Sequence, residues 1–113
     1  MENSLYPAAT LEIAKKREQL APETLNTWRA FSRQVFADGA LPGKTKDLIA
    51  VAVAHVTQCP YCIRAHTKSA RTRGATDEEI MEAIWVAAEM RAGGAIAHSA
   101  LAIDVMKEHA SSE

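Results

Sequence analysis

Four prolines, Pro7, Pro22, Pro42 and Pro60, punctuate the first 60 residues of the chain, and none follows Pro60. Proline lacks a backbone N–H and fits the first turn of a helix, where that N–H would have no intrahelical acceptor. Each one therefore marks a place where a helix can begin. No stretch shows the apolar/polar alternation that a half-buried strand requires, and apolar residues recur at helical spacing instead. The expected fold class is all-α.

Thr10 can cap a short polar helix to about residue 20, which Pro22 interrupts and restarts. The restarted helix carries Leu25, Trp28, Phe31 and Val35 on one face, and Asp38-Gly39 ends it. A third helix is expected over residues 44–58. Its charges lie in the first turn and its body is nearly all apolar, as in a helix enclosed on most sides. Pro60 opens a fourth, to residue 73, with Gly74 suited to the left-handed position that closes it. Thr76 and Glu79 form a capping box at the head of a fifth, in which Ile80, Ile84 and Ala87 face inward and Glu78, Glu82 and Glu89 face solvent. Gly93-Gly94 is expected to interrupt or kink this pattern before a sixth helix over residues 95–107, with residues 111–113 a frayed tail. The chain thus reads as a single domain over residues 1–113, with about six helices and no internal repeat or linker.

Composition bears on partners. Lys and Arg number 13 against 14 Asp and Glu, without the basic excess of a typical nucleic-acid binder. Arg64, Lys68, Arg71 and Arg73 give the fourth helix a basic side, but no aromatics interleave with it, and it reads as a solvated face. Of the 113 residues 22 are alanine, which suits close helix packing but leaves a small core for a lone protomer. Part of the apolar surface is therefore expected to be buried in an oligomer, with Trp28, Phe31, Phe36 and Trp85 as core or interface anchors. The first ten residues lack a cationic start and an apolar stretch, and the apolar run over residues 48–56 is about half of the ~20 residues a bilayer requires. The expected setting is cytoplasmic, with no membrane partner.

Two cysteines in such a compartment, spaced Cys59-Pro60-Tyr61-Cys62, point to redox chemistry or a metal rather than a structural staple. Pro60 puts both sulfurs at a helix start, where unpaired N–H groups favour the attacking thiolate. His66 lies on the same helix face at i+7 from Cys59, one turn beyond Cys62, and can take a thiol proton and return one to a leaving oxygen. Asp47 is a further candidate, although a carboxylate in a first turn can also simply complement the helix dipole. Two other classes stand beside the redox one. Zinc could be held by Cys59, Cys62, His66 and either His55 or Asp47, although structural zinc normally draws on loops or two separated pairs. A non-catalytic assembly protein could keep the disulfide only as a clamp. Haem attachment is excluded because Ile63, not histidine, follows Cys62. His98 and His109 have no partner at telling spacing.

Asp47, eleven intervening residues, Cys59-Pro60-Tyr61-Cys62, three residues and His66 together resemble the motif of the alkyl hydroperoxidase D (AhpD) and carboxymuconolactone decarboxylase-like proteins. The segment from Leu41-Pro42-Gly43 to Ala50 is similar to that family's lead-in, and Gly74-Ala75-Thr76 to Ile80 to its turn into the next helix. The resemblance covers about residues 23–107. It implies an all-α fold assembled as a homotrimer or homohexamer. It also implies a thiol-dependent peroxidase or disulfide reductase that needs no metal or other cofactor. Its substrate would be a small hydroperoxide or a disulfide, and its reductant a protein or lipoyl-type dithiol. Carried over, Cys62 is peroxidatic, Cys59 resolving, and His66 and Asp47 relay protons. The family usually has glutamate at the position of Asp47, and the shorter side chain is expected to make a weaker relay. The decarboxylase branch acts on a lactone acid without needing a cysteine pair, so the pair speaks against that activity.

Overall fold

A computed structural model describes residues 5–112, with side chains to residue 108. The first four residues of the N-terminal stretch, Glu113 and the side chain of His109 lie outside the described residues. The chain divides into two compact units, Met1–Gly43 and Lys44–Glu113.

In the first unit, α1 (Leu11–Leu20) and α2 (Pro22–Phe36) meet at Ala21. Thr10 caps α1 as expected, its hydroxyl accepting the Ile13 amide at 3.3 Å. Pro22 takes the first position of α2. The rings of Trp28 and Phe31 lie 5.7 Å apart on this helix, yet both are exposed, so neither is a core anchor within the chain. The helix stops at Phe36, slightly before Asp38-Gly39. Asp38 instead closes the loop after it, its Oδ1 accepting the Gly43 amide at 2.6 Å.

The second unit holds α3 (Gly43–Thr57) from its second residue on, α4 (Pro60–Thr72) and α5 (Asp77–Ser112). Only Gln58 and Cys59 separate α3 from α4. The turn is made by Gln58 at φ 57° and closed by the Cys59 amide donating to the Ala54 carbonyl at 3.1 Å. The end of α4 repeats the device, with Gly74 at φ 96° and the Ala75 amide on the Ala70 carbonyl at 2.9 Å. The Thr76–Glu79 capping box forms in both directions, at 2.9 and 3.1 Å. Glu79 also meets Lys44 Nζ at 3.0 Å, tying the start of α5 to the start of α3.

These short connections bring Val51, Ala70, Ala75 and Ile80 into one cluster, with Leu48 and Ile84 packed against it. Val51 and Asp47 are the largest fully buried side chains among the described residues, one turn apart on α3. Ile80, Ile84 and Ala87 face inward and Glu78, Glu82 and Glu89 outward, as the periodicity predicts.

Two expectations are corrected. The third helix is enclosed along one side only: Val51 and Ala54 are buried while Ile49, Val53 and Val56 are exposed. There are also five helices among the described residues rather than about six, because α5 continues unbroken through Gly93-Gly94 and on to Ser112. Each glycine costs a helix about 1 kcal/mol relative to alanine, but good helix formers on both sides and the lack of proline carry the hydrogen-bond ladder across. Near this point Arg91 donates to the Val56 carbonyl at 2.9 Å, anchoring α5 to the end of α3. No strand occurs among the described residues, and no helix there is long and apolar enough to cross a membrane.

Candidate functional site

Cys59 is the N-cap of α4 and Pro60 its first residue, so the cysteine pair sits on the opening turn of that helix. The two are joined as a disulfide with their Cα atoms 5.3 Å apart. Cys59 Sγ also accepts the Cys62 amide at 3.3 Å. A sulfur in that place takes the donor that a serine or aspartate cap would take, and the same donor stabilises a thiolate there once the disulfide is reduced.

One turn beyond Cys62, the imidazole of His66 faces α3. Its Nδ1 donates to Asp47 Oδ1 at 3.3 Å, so the shorter carboxylate does reach the histidine. With the proton on Nδ1, Nε2 is the basic atom of the neutral ring. Asp47 is 1% exposed. It is held by two further donors on its other oxygen: Ser69 Oγ at 2.9 Å and Arg73 Nε at 3.3 Å from Oδ2. A buried carboxylate in such surroundings is an acceptor fixed in one plane, able to select a histidine tautomer and hold the ring's orientation.

Four predicted site residues thus fall on two elements. Asp47 and His66 are in direct contact across them, while Cys59 and Cys62 lie at the head of the stripe that leads to His66. His55 stands apart: its Nδ1 lies 2.7 Å from the Val51 carbonyl of its own helix, a helix-end bond. His98 makes the same local contact, with the Gly94 carbonyl at 2.8 Å. Among the described residues no three Cys, His, Asp or Glu side chains gather as a metal site.

Sequence reasoning missed Ser69 and misplaced Arg73. The basic side of α4 is not uniformly solvated, because Arg73 turns onto buried Asp47 while Arg71 pairs with exposed Asp77 at 3.4 Å. The signal was present in the spacing: residues 59, 62, 66, 69 and 73 advance by three and four and make one continuous helical stripe.

A sequence profile of the carboxymuconolactone decarboxylase family matches residues 22–104, which contain every residue of this site. The chain is 68% identical over 79 residues to uncharacterized protein 4 in the cox locus of Paracoccus denitrificans, covering 70% of this chain and 71% of that one. Among solved structures, a protein of Methanobacterium thermoautotrophicum is similar with a TM-score of 0.69 and 36% identity, over 75% of this chain and 94% of its own. A carboxymuconolactone decarboxylase family protein of Legionella pneumophila gives 0.66 at 35% identity, covering 86% of each chain. A family member from Thermotoga maritima, whose own description suggests a part in an antioxidative response, gives 0.54 at 36% identity over 74% of this chain and 89% of its own.

Proposed function

The chain belongs to the carboxymuconolactone decarboxylase family, and from that membership and the geometry of α4 we propose that it is a thiol-dependent hydroperoxide reductase or disulfide oxidoreductase. The observation that carries this reading is the Cys59–Cys62 pair at a helix N-terminus, on one stripe with a histidine in contact with a buried carboxylate. The antioxidative role suggested for the Thermotoga maritima relative agrees with it.

In the proposed reaction His66 Nε2 takes the Cys62 thiol proton, directly or through water, and the thiolate attacks the near oxygen of a hydroperoxide. The O–O bond breaks and an S–O bond forms. The peroxide is reduced by two electrons to an alkoxide, which takes the proton back from His66 and leaves as an alcohol. Cys59, its thiolate favoured by the Cys62 amide, then attacks the sulfenic sulfur. The S–S bond forms, the S–O bond breaks, and the hydroxyl leaves as water with the proton that the Cys59 thiol gave up. A protein or lipoyl-type dithiol returns two electrons by exchange and restores both thiols. No cofactor takes part in these steps. We further propose that the chain works in the reducing cytoplasm as a homotrimer or homohexamer.

The test is a thiol count on reduced protein before and after one equivalent of hydroperoxide. Both thiols are expected to vanish together, with a mass loss of two hydrogens and no intermolecular bridge. Zinc retained at one equivalent per chain, with thiols that ignore peroxide, overturns the proposal in favour of a metal site.

A further inference from the structure

We propose that Ser69 and Arg73 are positioning residues of this site, acting through Asp47 to fix the tautomer and orientation of His66. The inference rests on the reading of His66 as the base that serves Cys62. An aspartate carboxylate can rotate about its terminal bond, so pointing Oδ1 at His66 requires that Oδ2 be held elsewhere. Ser69 Oγ and Arg73 Nε hold it, at 2.9 and 3.3 Å. All three donors come from α4 and its C-cap, at positions 66, 69 and 73, and the acceptor from α3. The network therefore also fixes which turn of α3 faces the cysteine helix.

Arg73 adds charge to this geometry. Its guanidinium offsets part of the carboxylate charge, so the buried anion is not left uncompensated. Asp47 on α3 is in contact with His66, and Arg73, at the C-cap of the histidine's own helix, reaches the other oxygen of that carboxylate. The charges at the start of α5 are engaged separately, Glu79 with Lys44 and Asp77 with Arg71. The side chain of Arg73 is 37% exposed, which screens its effect without abolishing it.

Three variants separate the contributions. Arg73→Gln removes the charged donor and should lower the fraction of His66 that carries its proton on Nδ1, and with it kcat several-fold at unchanged KM. Arg73→Lys should restore part of both. Ser69→Ala keeps the charge and is expected to lower kcat several-fold, with KM unchanged. The tautomer is read from the ring nitrogen shifts by NMR on reduced protein and needs no peroxide. If wild-type protein ignores peroxide but the tautomer still changes in Arg73→Gln, the functional reading fails and the positioning network stands. If wild-type protein reduces peroxide but the tautomer and kcat are the same in Arg73→Gln and Ser69→Ala as in wild type, the network is overturned.

Discussion

A carboxylate taken out of water costs several kcal/mol unless donors replace its hydration, and the donors chosen for Asp47 define what it does. One of them is an imidazole nitrogen, so replacing the carboxylate with an isosteric amide changes chemistry more than shape. In Asp47→Asn the amide can keep an oxygen toward Ser69 and Arg73, but it then presents N–H groups to His66 Nδ1 and favours the tautomer with its proton on the wrong nitrogen. The peroxide rate is expected to fall by ~10²–10⁴, the range for a lost general base, with a nearly unchanged melting temperature. An unaltered rate would remove Asp47 from the site. Backbone strain supplies a second prediction at this scale. Gly74 has φ 96°, and a Cβ built there meets no neighbour within 4 Å. The cost of Gly74→Ala is therefore conformational, about 1–2 kcal/mol, measurable as a lower denaturant midpoint. Gln58 tolerates the same left-handed region at φ 57° beside Cys59, so Gln58→Gly should leave the midpoint unchanged or raise it.

Among the helices, the start of α5 responds to acid. The Thr76 amide, followed by Lys44, holds the Glu79 carboxyl below the ordinary carboxylate range. A depressed carboxyl pKa in the folded state stabilises the fold above the unfolded value, and that contribution is lost as pH falls through the folded one. Melting temperature should consequently drop in acid, and Glu79→Gln, which can still accept the Thr76 amide, should show a shallower drop. Thermal melts of the two proteins between neutral pH and about pH 3 check this. This helix start was readable in advance because its cap is a local pattern: Thr76 and Glu79 are three residues apart and need nothing else. The stripe on α4 was readable as far as His66 for the same reason. Ser69 and Arg73 were not read because their purpose depends on Asp47, 22 and 26 residues earlier, and only packing of α3 on α4 brings them together. The unbroken run of α5 through Gly93-Gly94 was missed because two glycines weaken a helix without ending it when strong helix formers flank them.

At the scale of the whole molecule, many large apolar side chains among the described residues are left uncovered, and such surface is where a partner copy would pack. Ile96 is 74% exposed, Leu101 66% and Trp85 65%, all on α5, and Val53 and Val56 are open on α3. Among the described residues the buried apolar core consists of four alanines with Val51 and Ile80, a small core for a chain of 113 residues. Association that buries these faces should make the melting temperature rise with protein concentration, because only the folded state associates. Light scattering at 12.3 kDa, with stability unchanged on dilution, would contradict a homo-oligomer.

The proposed chemistry turns on Cys62 as the sulfur that meets peroxide, with Cys59 resolving it. The most direct measurement is trapping of sulfenic acid with a dimedone-type reagent, followed by peptide mass spectrometry, in Cys59→Ser and Cys62→Ser proteins treated with stoichiometric hydroperoxide. With the resolving thiol gone, Cys59→Ser should accumulate the adduct on Cys62, while Cys62→Ser should show almost none. An adduct on Cys59 in Cys62→Ser, with Cys62 inert in the other variant, would contradict the proposed order of attack, and no adduct in either would contradict the peroxidase itself.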